Sequence, residues 1–127
     1  MEIIDNDIRV IIGEESLLQL NKILEKEYPG ARCYVLVDEN TLEHCFPRLD
    51  ELVPFLNEAE VIEIESGEVS KNMEMVTQLC QSLIELGADR KSLLVNLGGG
   101  VITDLGGFVA SVYKRGIDFV NIPTSLL

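Results

Sequence analysis

The feature that most constrains the fold is a strand, a glycine turn and a helix in immediate succession over residues 93–104. The run Leu93 to Leu97 has the composition of a buried strand, three glycines follow at 98–100, and Asp104 lies early in the next helix. A turn without Cβ atoms lets an anion such as a pyrophosphate approach the unpaired N–H groups of a helix start. The segment favours a dinucleotide site, and the alternative is a glycine-rich turn that binds no ligand.

Two parts of the common dinucleotide fingerprint differ in this chain. A third Gly or Ala is expected where Thr103 stands, and an acid about 20 residues farther on should end the next strand. Asp118 has about that spacing but precedes the apolar strand Phe119 to Ile122, so we expect it at the opposite end of the sheet. The glycine run alone leaves the ligand open.

Apolar runs alternate with helical periodicity along the chain, which is typical of an α/β domain with a mainly parallel sheet. The predicted strands are Ile8 to Ile12, Cys33 to Val37, Val61 to Glu65, Leu93 to Leu97 and Phe119 to Ile122. The predicted helices place on one face each Leu17, Leu20, Ile23 and Leu24; Met73, Val76, Leu79, Cys80, Leu83 and Ile84; and Val101, Leu105, Phe108, Val109 and Val112. Pro47 and Pro54 break another stretch into short helical pieces. We expect one Rossmann-like domain over residues 1–127, with helices on both faces of the sheet.

Charge excludes two classes of partner. The chain has 22 acidic and 10 basic side chains, a net charge of −12, and therefore repels nucleic-acid phosphates and anionic lipid. Its N-terminus has no basic segment followed by an apolar stretch, and no run reaches the ~18 apolar residues of a membrane span. We expect a cytoplasmic protein that binds neither nucleic acid nor membranes.

Cysteine and histidine usage predicts neither a disulfide framework nor a metal site. Cys33, Cys45 and Cys80 are widely spaced among apolar neighbours, as reduced thiols in or near a core are. His44 is the single histidine, and zinc requires three or four ligands that no Cys/His spacing here supplies.

Polar side chains follow four predicted strands, where the carboxyl ends of parallel strands gather and ligands bind. They are Asp38 and Asn40, Glu68 and Lys71, the glycine turn with Asp104, and Thr124 with Ser125. Ribose hydroxyls, adenine and phosphate would suit these groups. Each group also has a structural explanation. Asp38 can belong to a turn or cap, Asn40 can cap a helix beginning near Thr41, and Asp104 can complement the helix dipole. Glu68 and Lys71 can form a solvated ion pair, and Thr124 and Ser125 can simply end a strand. Arg115 can hold an anionic substrate group or simply suit a helix C-terminus.

These motifs together resemble the N-terminal domain of the 3-dehydroquinate synthase family, within the sugar phosphate cyclase group. The resemblance is carried by the segments 98–110 (GGGVITDLGGFVA), 113–116 (YKRG) and 122–127 (IPTSLL), and more weakly by 37–40 (VDEN) and 67–71 (GEVSK). Thr103 and Ser125 stand where the family has Gly and a second Thr.

The resemblance implies an NAD-binding domain whose cofactor contacts fall at Asp38, Asn40, Glu68, Lys71, Gly99, Gly100, Val101, Asp104, Thr124 and Ser125. It implies that Arg115 binds the substrate across a homodimer interface. Family enzymes use NAD and a divalent metal, zinc or cobalt, to convert 3-deoxy-D-arabino-heptulosonate 7-phosphate, a phosphorylated sugar acid, to 3-dehydroquinate with loss of phosphate, in the shikimate pathway of aromatic amino-acid biosynthesis. The metal ligands belong to a helical C-terminal domain, so we expect this chain to be a fragment with no catalytic or metal-binding residues of its own.

Two alternatives remain at this point. Another sugar phosphate cyclase or a polyol dehydrogenase of the same fold would show the same motifs, and a dehydrogenase would leave net NADH. A non-catalytic nucleotide-binding module would need no further catalytic domain.

Overall fold

The computed structural model describes residues 2–5, 8–11, 14–66 and 72–124, with side chains from residue 17 onward. Its strands are β1 (Glu2–Asp5), β2 (Ile8–Ile11), β3 (Cys33–Asp38), β4 (Glu60–Ile64), β5 (Leu93–Leu97) and β6 (Asp118–Ile122). Its helices are α1 (Glu14–Glu27), α2 (Glu39–His44), α3 (Phe46–Leu52), α4 (Met73–Glu85) and α5 (Gly100–Val112), with 3-10 turns at Pro54–Leu56 and Tyr113–Arg115. None of the described helices is long and apolar enough to cross a membrane.

The strands form one sheet in the order β1-β2-β6-β5-β3-β4. Every neighbouring pair is parallel except β1 and β2, which are antiparallel. This confirms the predicted Rossmann-like, mainly parallel fold. Strand β1 was not predicted, because a four-residue strand with two adjacent isoleucines between acids has too short a pattern to identify.

Helices cover both faces of the sheet, as predicted. Alternate residues of β3 and β5 point to opposite sides, so that Val35 and Val37 pack with α1 and α3 in one core while Tyr34 and Leu36 pack with α4 and α5 in the other. The predicted stripe of α1 holds at Leu17, Leu20 and Leu24, each 0% exposed. The central strands are therefore buried on both faces, as their continuous apolar runs indicated.

Two predicted helix faces were partly wrong. In α5, Leu105 and Val109 are buried, but Val101, Phe108 and Val112 are each 46% exposed. The buried face is rotated toward a set that includes two small residues: Ile102, Leu105, Gly106, Val109 and Ala110. In α4, Met73 and Ile84 are also exposed. The core of the predicted α4 face, Val76, Leu79 and Leu83, is buried as expected. In α5, periodicity identified the helix but misplaced part of its contact face, because glycine and alanine can lie at the closest approach while bulkier residues stay outside.

The predicted short helical pieces around the two prolines are present in the structure. The Pro-broken stretch forms α2, α3 and a 3-10 turn, with Pro47 in the first turn of α3. Strand β4 lies at a sheet edge and buries alternate residues, Ile62 and Ile64. Gly30 and Gly87 follow α1 and α4 with φ of 76° and 81°, a conformation that favours glycine at helix ends.

Candidate functional site

The carboxyl ends of four parallel strands lie level with one another. Asp38 pairs with Ile64 of β4, and the pairing of Leu36 with Asn96 places Gly98, two residues on, beside Asp38. The Gly98 N–H donates to the Ile122 carbonyl at 3.2 Å, which brings the end of β6 to the same edge. We call this end of the strands, from the last residue of β4 to the last residue of β6, the carboxyl edge.

A cleft of about 230 Å³ opens at the carboxyl edge. It is lined by Asp38, Ile64, Glu65, Ser66, Gly99, Gly100, Val101 and Ile102. Four residues proposed from the sequence, Asp38, Gly99, Gly100 and Val101, therefore share one cleft although about 60 positions separate the first from the others in the chain. Parallel pairing of β3 with β5 is what brings them together.

The glycine turn leads directly into the start of α5. Gly99 is the N-cap and has no side chain to accept a hydrogen bond, and the Thr103 N–H donates to its carbonyl at 3.1 Å. The N–H groups of Gly100, Val101 and Ile102 precede that first helical bond and have no acceptor within the helix. Three amide donors at the positive end of a helix are suited to an anion.

The three glycines have different structural requirements. A Cβ atom on Gly98 would come within 2.6 Å of the Ile102 side chain, so the fold itself requires glycine there. A Cβ atom on Gly99 or Gly100 would meet no protein atom within 4 Å, and neither residue has a left-handed φ. Nothing in the described protein explains glycine at those two positions.

Asp38 serves as the N-cap of α2. Its Oδ1 accepts a hydrogen bond from the Thr41 N–H at 2.8 Å, and its own N–H donates to Thr41 Oγ1 at 3.0 Å, forming a capping box. The interpretation of Asn40 as the cap of a helix beginning near Thr41 was therefore wrong, since α2 begins at Glu39. Asn40 is exposed, and its Nδ2 donates to Ser66 Oγ at 3.5 Å.

Sequence reasoning missed Glu39 and Ser66 at this site. The Glu39 carboxylate accepts from the Ser66 N–H at 2.9 Å and also from the Ser66 hydroxyl. These hydrogen bonds lower the pKa of Glu39. The pair joins the start of α2 to the end of β4. Ser66 lies two residues beyond the end of β4, so the rule that selected Asp38 could also have selected it.

The other proposed cofactor residues are placed as follows. Asp104 is exposed in the second turn of α5 and lines a neighbouring groove of about 270 Å³ with Met73, Val76, Leu105 and Phe108, not the cleft that holds Asp38. Thr124 is half-buried just beyond β6 at the carboxyl edge. Glu68, Lys71 and Ser125 lie outside the described residues.

Arg115 lies at the opposite edge of the sheet. Helix α5 runs back across the sheet for 13 residues, about 20 Å, so Arg115 is near the start of β6 rather than its end. Lys114 and Arg115 have left-handed φ values of 46° and 69°, unusual for residues with a Cβ. Both side chains are exposed. Within one chain, Arg115 and the glycine turn do not form a single site.

Two larger clefts, of about 440 and 470 Å³, open at the starts of the strands and not at their ends. Asp118 lines the first and accepts a hydrogen bond from the Tyr28 hydroxyl at 2.6 Å. This confirms the expectation that Asp118 lies at the wrong end of the sheet for a ribose. Neither cleft includes a helix start with unpaired amides, so we place the functional site in the smaller cleft at the carboxyl edge.

Within the described part of the chain, no three His, Cys, Asp or Glu side chains are placed to hold a metal ion. The three cysteines are free, with Cys33 buried and the other two half-buried. Burial raises the pKa of Cys33 to about 11, so its thiol stays protonated at neutral pH.

Comparison with known proteins identifies the family. A family model described as the N-terminal part of 3-dehydroquinate synthase matches residues 61–127. A 3-dehydroquinate synthase of Parabacteroides distasonis is 44% identical over 96 residues, covering 76% of this chain and 27% of that protein. The chain spans about a third of the length of the curated relatives it matches, for example 32% of a Rhodopseudomonas palustris 3-dehydroquinate synthase that is 38% identical to it over 124 residues.

Solved structures of two other enzymes share the fold of this chain. A 2-deoxy-scyllo-inosose synthase complexed with carbaglucose-6-phosphate, NAD+ and Co2+ superposes with a TM-score of 0.77 at 26% identity, over 98% of this chain and 34% of that one. A 2-epi-5-epi-valiolone synthase from Streptomyces hygroscopicus with NAD+ and Zn2+ bound gives 0.69 at 25% identity, over 97% and 33%. With its level strand ends, its bare glycine turn and these matches, the chain belongs to the 3-dehydroquinate synthase family.

Proposed function

We propose that this chain is the NAD-binding domain of an enzyme that converts 3-deoxy-D-arabino-heptulosonate 7-phosphate to 3-dehydroquinate with release of phosphate. This reaction class is supported by the relatives named 3-dehydroquinate synthase and by two structural neighbours, the 2-deoxy-scyllo-inosose synthase and the 2-epi-5-epi-valiolone synthase. Because the chain spans about a third of those relatives, the remaining catalytic groups would come from a further domain, and the chain alone would be inactive.

The observation that carries the proposal is the freedom around Gly99 and Gly100. The fold tolerates a Cβ atom at both positions, yet both are glycine and both line the cleft. A ligand that lies against the backbone explains their identity, because its phosphates would occupy the space that a side chain would fill. The N–H groups of Gly100, Val101 and Ile102 would then donate to the pyrophosphate.

The remaining cofactor contacts follow from the carboxyl edge. One carboxylate oxygen of Asp38 caps α2, and the other can accept from ribose hydroxyls. The proposed set of NAD contacts is completed by Asn40, Glu68, Lys71, Thr124 and Ser125. Asp104 would contact the nicotinamide half, which requires the cofactor to extend past Val101 along α5. NAD supplies reversible hydride acceptance, and the described residues bind and orient it.

Arg115 would bind the substrate of a second copy. Since about 20 Å of helix separates it from its own glycine turn, a role in the same site requires another subunit. The exposed residues Val101, Phe108 and Val112 make an apolar stripe on α5. Two α5 helices packed antiparallel along this stripe would bring Arg115 of one copy near the glycine turn of the other. We therefore propose a homodimer.

The divalent metal would be held by the domain that this chain does not include. Its family role is to polarise an oxygen on the substrate carbon that NAD oxidises. The biosynthetic activity proposed here fits a cytoplasmic enzyme whose partner is a phosphorylated sugar acid. Because the chain has a net charge of −12, this anion would have to be bound by local groups and not by the overall charge.

The reaction is tested with the full-length parent protein, NAD and a divalent metal. We expect phosphate release from the heptulosonate phosphate with no net NADH. Release from a different sugar phosphate would identify another cyclase, and net NADH would identify a dehydrogenase of the same fold. If no phosphate and no NADH form, a non-catalytic nucleotide-binding module becomes the better explanation.

A further inference from the structure

Asn96 of β5 differs from the other buried polar residues of the described chain. Thr41 and Ser92 are also buried, but each bonds to a residue of its own turn. Asn96 is 0% exposed, and its Nδ2 donates to Asn121 Oδ1 of β6 at 3.0 Å. Its Oδ1 has no hydrogen-bond partner. Burying an amide oxygen without a hydrogen-bond partner destabilises the folded state. Asparagine at this position therefore requires an explanation other than core packing.

Helix α5 rests directly on this amide. A Cβ atom on Gly106 would overlap the Asn96 side chain, meeting its Oδ1, Cγ and Nδ2. At the adjacent Gly107, a Cβ atom would make only an ordinary contact, 3.4 Å from the Phe119 ring. Of these two adjacent glycines, only Gly106 lies where no space remains for a Cβ atom, so its contact with the Asn96 amide limits how closely α5 can approach β5.

This contact lies beneath the proposed phosphate turn. Asn96 precedes Gly98 by two residues on the strand, and Gly106 lies about 9 Å along α5 from Gly100. A helix moves as a nearly rigid body over so short a distance, so raising it at Gly106 would tilt its first turn. The amides of Gly100, Val101 and Ile102 would then be displaced relative to Asp38 across the cleft.

We propose that Asn96 is a positioning residue that, through Gly106, sets the height of the first turn of α5 above the sheet. Its amide acts as a spacer, while the bond to Asn121 fixes the rotamer that points Oδ1 at the helix. What the positioned amides bind rests on the proposed function. The steric coupling between Asn96 and Gly106 does not.

A double-mutant cycle tests the coupling in the 127-residue chain. Gly106→Ala should lower the melting temperature and shift the ¹H–¹⁵N resonances of Gly100, Val101 and Ile102. Asn96→Ala/Gly106→Ala should restore both, because the new methyl group enters the space that the amide leaves. Gly107→Ala is the matched control, with the same gain in helix propensity and no overlap, and it should leave these resonances in place.

Binding of NAD+ to the folded variants separates positioning from stability. Well below the melting temperature, Gly106→Ala should bind NAD+ at least ten-fold more weakly than the parent, and the double variant should recover most of that loss. Unchanged resonances in Gly106→Ala, or no recovery in the double variant, would overturn the inference. If Gly106→Ala does not fold, failure of the double variant to fold would overturn it equally.

The two proposals fail in different ways. If the unsubstituted 127-residue chain binds no NAD+ while the resonances change as expected in the double-mutant cycle, the cofactor site is contradicted and the positioning role remains supported. A chain that binds NAD+ with equal affinity in all variants contradicts the positioning role alone.

Discussion

The Thr41 N–H donates to Asp38 Oδ1 at 2.8 Å, so one carboxylate oxygen of Asp38 is committed to capping α2. The other oxygen is what a ribose could use. Before the structure, a cap and a cofactor contact were competing explanations for Asp38; the geometry makes them compatible, because a carboxylate has two oxygens and a cap uses one. The cap also fixes the rotamer of the side chain that the ribose would meet.

Asp38→Asn should separate the two roles of this residue. An asparagine still accepts from the Thr41 N–H, so we expect little change in melting temperature. It lacks the charge that strengthens bonds to ribose hydroxyls, and NAD+ affinity should fall about ten-fold. Asp38→Ala should lose both functions, with about 1 kcal/mol lost from the free energy of unfolding. Calorimetric titration and thermal unfolding measure the two effects, and Asp38→Asn binding like the parent would contradict the ribose contact.

Gly99→Val should weaken NAD+ binding and should lower stability only by the loss of a glycine N-cap, about 1 kcal/mol. The Cβ atom of the new side chain would meet no protein atom within 4 Å in the free chain and would enter the phosphate position in the complex. Gly98→Ala is the reverse case, since its methyl group would press on Ile102 and lower the melting temperature. Equal NAD+ affinity for Gly99→Val and the parent would show that no ligand lies against this turn.

Tyr28→Phe probes the opposite edge of the sheet. Removing the hydroxyl that donates to Asp118 should reduce the free energy of unfolding by about 1 kcal/mol. NAD+ affinity should not change, because Asp118 lies at the start of β6 and the proposed cofactor site at the strand ends. A large loss of NAD+ affinity in this variant would indicate that the cofactor binds in the cleft at the strand starts and would contradict the proposed site.

The Glu39 carboxylate should make stability pH-dependent in acid. Because its pKa is lower in the folded than in the unfolded chain, the stabilisation is complete above the ordinary glutamate range and is lost as pH falls through the folded value. Glu39→Gln should flatten that part of the stability profile, as should Ser66→Ala. Urea unfolding between pH 3 and 7 measures it. Glu63→Gln, an exposed acid on β4, serves as the control, and an equal flattening there would contradict the assignment.

Most of the fold could be predicted from the sequence because the patterns of its strands and of its helices are both strong. Buried parallel strands such as Leu93–Leu97 are apolar throughout, and α1 carries its leucines at helical spacing. The short strand β1 and the contact face of α5 could not be predicted, since they depend on which neighbouring elements pack against them.

The candidate site divides in the same way. The sequence alone determined which residues follow strand ends, and hence that Asp38, Gly99 and Thr124 belong to one edge. The tertiary structure decided that Asp104 lines a neighbouring groove, that Arg115 is about 20 Å away along α5, and that Gly106 rests on Asn96. Local pattern determines where each strand begins and ends along the chain, whereas the rotation and depth of a helix on a sheet are set by side-chain volumes from distant parts of the chain.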